Sequence, residues 1–384
     1  MSDITDDIIK FTQKLVQTPS QNGIETEQAV AELVYEKLTS FGFQPEYLPP
    51  DSRPSVMCHI KKSGAKKTVW FEACLDTMPV GDVSLWDYPP FDARIIDGKM
   101  FGRGTADAKI AIAIFCFLAK DLGSDPDFNA NLFLSFSADE QSGYFTGLHE
   151  IIERSPKADL CILGYQGQED ISIGSRGWLR LSLQVFGKQQ HTGSRNKNGV
   201  NAIHGIIHAL SEILNIKIPK KRDEFFWYGP SMHISEISGG IAINFIPDLC
   251  QANIDIRLVP GLTDKAIIAK MKKILEKMRK KDKNFEYKLE VLQYEPAYLT
   301  DPNNEAVKIL QEEAGKALSK DIPLVVSGQG SVGNIISRLG VPIINAFGCE
   351  VGNVHEPDEW VNLKTLPKVY DIYREVLLKF CKPH

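Results

Sequence analysis

Four stretches of the chain set acidic residues, a cysteine or a histidine at the ends of short apolar runs. Thr68–Leu75 runs into AlaCysLeuAspThrMetPro, which carries Cys74 and Asp76. GlyArgGlyThrAlaAspAlaLys places Asp107 just before a long apolar stretch. Asn131–Phe136 leads into SerAlaAspGluGlnSerGly, with Asp139, Glu140 and Gln141. Near the end, PheGlyCysGluValGlyAsnValHisGluProAspGlu carries His355. Open α/β sheets present ligands at the carboxyl ends of their strands. Acidic residues and histidine gathered there are ingredients of metal or acid–base sites. Singly, each has a structural explanation: Asp107 reads as a helix cap, and Asp139 and Glu140 as a solvated turn. Their shared position after strands is what points to chemistry.

The elements that must hold them follow from apolar spacing. The first 45 residues read as helix, with Ile8, Phe11, Leu15, Ala29, Leu33, Val34 and Leu38 near helical spacing and Gly42 as a stop. Ser55–Ile60, Thr68–Leu75, Asn131–Phe136 and Asp159–Leu163 have strand length. Between them Ala106–Leu122 is apolar on all sides, the pattern of a buried helix. Strands alternating with helices predict an α/β domain. After Gly177 the character changes. Trp178–Val185 and Leu249–Leu258 read as strands, and Asn201–Leu214 and Asp264–Lys283 as amphipathic helices, which predicts a small α+β domain. From about Val291 the α/β pattern returns with helices over Asn304–Leu318, Val332–Leu339 and Leu363–Cys381 and strands over Pro323–Val326 and Pro342–Phe347. The expected organisation is one α/β domain over 1–176 and 292–384, with residues 177–291 inserted.

Composition sets outer limits. A length of 384 residues is consistent with two or three domains. Hydrophobic residues at 43% and charged residues at 24% are those of a globular chain rather than a disordered one. The longest apolar run, near Ile110–Ala119, is too short to span a bilayer, so no membrane partner is expected. The acidic start MSDITDDIIK differs from a signal peptide. A net charge of −5 argues against nucleic acid as a partner. Lys270 to Lys283 holds eight Lys or Arg residues, read as a solvated helix face. Seven scattered cysteines do not form a disulfide framework, so a reduced, cytoplasmic protein is expected.

The ordered motifs resemble the zinc-dependent peptidase family that includes aminoacylase-1, carboxypeptidase G, acetylornithine deacetylase and succinyl-diaminopimelate desuccinylase. CysLeuAspThrMetProValGlyAsp, TrpAspTyrProProPhe and AspGlyLysMetPheGlyArgGlyThrAlaAspAlaLys are similar to its first two motifs. AspGluGlnSerGly resembles its paired-glutamate motif, GlyLysGlnGlnHisThrGly the start of its lid, AsnPheIlePro and AspIleArg its substrate-clamping segments, and HisGluProAspGlu its final histidine motif. The resemblance implies a zinc-peptidase-like catalytic α/β domain with an inserted α+β lid, and a homodimer formed through that lid.

It also implies five metal-ligand positions, and three have changed type. They fall on Cys74, Asp107, Gln141, Tyr165 and His355, where the family has His, a bridging Asp, Glu, a further acid and His. Two divalent ions in a partly dry site need about four compensating negative charges. Asp107, a hydroxide and a Cys74 thiolate fall short of that, Tyr165 counts only as phenolate, and Gln141 is neutral. The expectation is against a two-zinc centre and leans to no metal. A single zinc on Cys74, Asp107 and His355 stays open.

The resemblance places Glu140 as the general base, Asp76 beside the first ligand position, and His191 as the lid histidine that stabilises an oxyanion. It assigns Asn244 and Arg257 to the substrate carboxylate, and SerGlyGlnGlySer, with Gly330 and Ser331, to a loop offering backbone N–H groups. Arg suits bidentate carboxylate recognition. The expected ligand is therefore an N-acyl amino acid, a small peptide or a similar carboxylated small molecule. Cys74 remains open as nucleophile, ligand or filler. Three functions stay open too: an amide-acting enzyme with altered or no metal, a binding protein without turnover, and a conventional zinc hydrolase with replaced ligands.

Overall fold

The computed structural model describes residues 2–48, 53–218 and 224–382. It divides into two compact units, one of Met1–Gly174, Leu299–Ser327 and Ser331–His384, the other of Ser175–Tyr298 with Gly328–Gly330. The second unit thus begins two residues before the expected 177. It ends beyond 291 because the strand Glu286–Glu295 crosses that position and pairs along its length inside the unit.

In the first unit, Ala130–Ser137, Lys67–Cys74, Leu160–Tyr165 and Ile343–Ala346 lie side by side as parallel strands. Ser55–Ile60 and then Pro45–Leu48 extend the sheet antiparallel. Consecutive residues such as Val69, Trp70 and Phe71 are fully buried, as are Phe133 and Leu134, so both faces of the sheet are covered. The helix Ile110–Ser124 is buried all round from Ile110 to Ala119. Each fully buried large apolar side chain of this kind stabilises by about 1.5–3 kcal/mol. Because the four strands are parallel, their carboxyl ends share one edge. Cys74 and Tyr165 end two of them, the 139–141 turn follows a third, and the His355 loop follows the fourth.

Three expectations need correction. The N-terminal 45 residues form two helices, Ser2–Val16 and Gln28–Ser40, then a strand from Pro45. The stretch between the helices leaves the helical path to reach the sheet edge, where Asn22 N–H donates to the Thr77 carbonyl (2.8 Å). The buried helix starts at Ile110, not Ala106, because Asp107 and Ala108 take non-helical backbone angles. Asp107 is therefore no helix cap. The strand pair Arg94–Ile96 and Lys99–Phe101 and the helix Thr146–Arg154 were not anticipated.

The second unit is a four-stranded antiparallel sheet in the order Ser231–Gly239, Leu249–Leu258, Gly177–Phe186, Glu286–Glu295. Alternate residues Leu179, Leu181, Leu183 and Val185, with Ile254 and Ile256, pack against Ile206, Leu210 and Ile213 of Ala202–Leu214 and Ile267, Met271 and Leu275 of Asp264–Lys281. The basic residues of the latter helix are exposed, as a solvated face requires. All seven cysteines are buried and unpaired with one another. Among the described residues no helix is long and apolar enough to cross a membrane.

Two predictions concern this core. A Cβ on Gly147 would lie 2.2 Å from Ser55 Oγ and 2.7 Å from the Ala138 nitrogen. Gly147→Ala is expected to destabilise by about 1–3 kcal/mol in urea unfolding, the cost of overpacking; an unchanged midpoint would contradict the packing. Glu72 is buried and accepts from Ser135 and Ser137, and burial pushes its carboxyl from 4.5 to about 8. Between those values the native chain holds a proton that the unfolded chain releases, so this group's stabilisation is lost as pH rises from about 4.5 to about 8. Glu72→Gln should flatten that slope in unfolding measured at pH 5 and pH 8.

Candidate active site

Glu359, in the last motif, is fully buried and pairs with Arg103, itself 1% exposed, at 2.6 Å. Its Oε1 accepts the backbone N–H groups of Gly104 (3.1 Å), Ala106 (2.9 Å) and Asp107 (3.2 Å). Those N–H groups, in the segment that leaves helical angles at Asp107 and Ala108, are thus met by a carboxylate. Arg103 Nη2 donates to the carbonyls of His355 (3.1 Å) and Pro79 (3.4 Å). One ion pair therefore holds both the Asp107 segment and the His355 loop.

The two side chains so placed meet. His355 Nε2 lies 2.8 Å from Asp107 Oδ2, and that hydrogen bond raises the imidazole's pKa against the effect of burial. Gln141 Nε2 donates to the same oxygen at 3.1 Å. The Cys74 thiol lies 3.8 Å from Asp107 Oδ1, and Gln141 Nε2 lies 3.9 Å from its sulfur. Tyr165 donates its hydroxyl to Glu140 Oε1 at 2.8 Å. The structure thus brings Cys74, Asp107, Gln141 and His355 into one contact cluster, with Glu140 and Tyr165 close enough for Asp107 to act on both.

Asp76 serves the turn. Its Oδ1 accepts the Glu140 N–H (3.0 Å), and its Oδ2 accepts the Gln141 N–H (2.9 Å) and the Asn22 amide (2.8 Å). This makes Asp76 a positioning residue. The turn is not solvated as expected: Asp139 is buried, has φ 63°, and is held by Arg53, Thr146 and Asn22. Arg53 also pairs with Glu27 at 3.4 Å.

Electrostatics favour neutral groups in this cluster. Burial, then the carboxylates Asp107, Glu140, Asp76 and Glu72, push the Cys74 thiol well above its usual range. A nucleophilic Cys74 needs the thiolate, so this environment favours the filler reading over the nucleophile. Burial, then Asp107 and Asp76, raise Glu140 in the same way, while Tyr165's hydrogen bond opposes the shift. Burial and Glu140 raise the Tyr165 phenol. Lys109 is also buried, donates to the Thr18 carbonyl at 2.8 Å, and is lowered to about 7 by burial.

Of the five expected ligand positions Asp107 alone is a carboxylate, and its Oδ2 already meets the His355 imidazole and the Gln141 amide. Amide, phenol and thiol offer little charge to balance two divalent ions, which need about four negative charges. The donor set does not fit a dinuclear centre.

In the second unit, His191 and Asn244 are exposed, with Nε2 and Nδ2 3.5 Å apart. Arg257 is half-buried and anchored through Nε to Asp255 at 2.8 Å. Gly330 sits against Trp178, whose ring a Cβ would meet at 2.3 Å, so its lack of a side chain answers a packing need. Ser331, in the first unit, caps the helix Val332–Ile336: its hydroxyl accepts the Gly333 N–H (3.2 Å) and donates to Asn345 Oδ1 (2.7 Å), and its N–H donates to Asn334 Oδ1 (2.9 Å).

Sequence reasoning missed Arg103, Glu359 and Arg176. Arg103 and Glu359 lie inside the motifs already singled out, and charged residues embedded in strand-end loops were the available signal. Arg176 donates through Nε to the Gly328 carbonyl (2.8 Å) and through Nη1 to that of Gly229 (3.2 Å).

The model of peptidase family M20/M25/M40 matches residues 71–379. The chain belongs to this family. A succinyl-diaminopimelate desuccinylase of Psychrobacter arcticus is 29% identical over 378 residues, covering 94% of this chain and 90% of its own. A tripeptidase from Staphylococcus aureus superposes with TM-score 0.77 at 20% identity, over 98% of both chains. The M20 peptidase YXEP of Bacillus subtilis, described as dinuclear metal binding, superposes at 0.75 with 14% identity over 99% of both. The M20 fold that the ordered motifs imply is thus the fold observed.

Glu359→Gln would leave the Arg103 guanidinium buried without its counter-charge. The M20 chain should lose about 3–5 kcal/mol of stability in urea unfolding, as for other broken buried pairs. A loss below about 1 kcal/mol would show that the pair does not hold the site.

Proposed function

We propose that this chain is a divergent M20 hydrolase. It acts on an amide bond of an N-acyl amino acid, a small peptide or a similar carboxylated small molecule, with Glu140 as acid/base and without a dinuclear zinc centre. The observation that carries the reading is the survival of Glu140, half-buried, bonded to Tyr165 and with its N–H held by Asp76, while three ligand positions hold Cys74, Gln141 and Tyr165. Glu140 takes a proton from the attacking water and returns it to the leaving nitrogen, and burial favours the protonated form needed for the second half. Tyr165 orients the carboxyl. The His355–Asp107 pair supplies a fixed hydrogen-bonding wall beside it.

In the second unit, Arg257 is the proposed carboxylate-binding residue, with His191 and Asn244 as further ligand contacts. Residues 177–291 are proposed to act as a lid through which two copies associate. The desuccinylase and tripeptidase names of relatives support a carboxylated amide as the substrate class.

A second reading, binding without turnover, is favoured by one observation. Asp107 and Asp76 have both carboxylate oxygens, and Glu140 its Oε1, engaged inside the protein. Turnover of N-succinyl and N-acetyl amino acids and dipeptides by the full chain, with and without zinc, decides between them. The first reading predicts turnover that falls at least about 100-fold in Glu140→Gln, the usual scale of acid–base catalysis. Turnover unchanged in Glu140→Gln would remove the acid/base role. Ligand binding with no turnover under any metal condition would establish the second reading, and turnover only with added zinc would establish a zinc hydrolase with replaced ligands.

A further inference from the structure

The second unit carries two large aromatic side chains on its surface that the reading above does not use. Trp227 is 59% exposed and Tyr228 is 44% exposed. Their ring centroids are 3.7 Å apart with planes inclined by 31°. Phe226, one residue earlier, is 1% exposed and roots the loop, and Gly229 turns the chain at φ 66°. The strand that begins at Ser231 follows at once and sets Ser231 opposite Arg257, which is in turn opposite Trp178.

The guanidinium of Arg176 lies 5.7 Å from the centre of the Tyr228 ring and is bonded to the carbonyls of Gly229 and Gly328. That fixes it against the aromatic pair. Arg257 is near enough to oppose the charge on Arg176, so the two guanidiniums share a neighbourhood. The acidic group beside Arg257 is Asp255, which also faces Arg180 at 3.4 Å. Arg176 and Arg257 bring two guanidiniums next to an exposed, closely packed aromatic pair. Such a surface complements a ligand with an anionic end and a flat apolar end: arginine takes the carboxylate, and the rings offer a face for stacking.

We propose that Trp227 and Tyr228, beside Arg176 and Arg257, form a subsite that takes the aromatic ring of a carboxylate-bearing ligand. The inference rests on the reading that the ligand carries a carboxylate, and it adds the ring. A ring in the acyl group and a ring in the amino-acid side chain share this chemistry, and the test separates them.

Calorimetric titration of the full chain with N-benzoylglycine, N-acetylphenylalanine and ring-free N-acetylalanine tests it without requiring turnover. At least one ring-bearing compound is expected to bind about fivefold or more tighter than N-acetylalanine, the scale of one aromatic contact. Which one does so identifies the side of the amide that bears the ring. Trp227→Ala and Tyr228→Ala, made separately at exposed positions, should each bring that preference to within about twofold and leave N-acetylalanine affinity unchanged. Equal affinity for all three compounds, or a preference kept in both variants, overturns the aromatic subsite and leaves the carboxylate reading in place. No binding of any of the three overturns both.

Discussion

The Arg103–Glu359 ion pair is the constraint on which the first unit's site depends. A buried pair of this kind has to be fully bonded, because each charge is costly to bury alone. Glu359 meets that need by drawing in the N–H groups of Gly104, Ala106 and Asp107, and Arg103 does so with the His355 and Pro79 carbonyls. The consequence is spatial. Residues 248 positions apart in the chain, Asp107 and His355, end up 2.8 Å apart.

A carboxylate enclosed in protein needs compensating positive charge or hydrogen-bond donors. In a dinuclear centre cations fill that role. Here Asp107 is met by an imidazole, an amide and a thiol. The side chains at the three unusual positions are mutually consistent: Gln141 aims a donor at Asp107, Tyr165 supplies a donor to Glu140, and Cys74 stays neutral among carboxylates. Putting the family's acid at Gln141 or Tyr165 alone would place a further carboxylate next to Asp107 and Glu140.

The parts of this arrangement that were legible in the sequence are those governed by local pattern. Strand ends carrying Cys74, Asp139–Gln141 and Tyr165 could be read because parallel buried strands are short apolar runs with abrupt polar ends. The helix Asp264–Lys281 was legible from its apolar stripe. The irregular turn at Asp107 was not, because the carboxylate that holds its N–H groups, Glu359, is remote in sequence and propensity carries no record of it. The capping role of Ser331 was hidden for the same reason, since it exists only once the short helix Val332–Ile336 forms. The aromatic pair at Trp227 and Tyr228 passed unnoticed because exposure, which makes it unusual, is a tertiary property.

The central claim is that hydrogen bonds around Asp107 stand where a pair of metal ions would otherwise be held. Elemental analysis of the purified full chain after equilibration with excess zinc and removal of free ions tests it most directly. The account predicts well below two zinc ions per chain, with none or at most one retained. Two zinc ions per chain, located by anomalous scattering between Asp107, Gln141, Tyr165, Cys74 and His355, would contradict it.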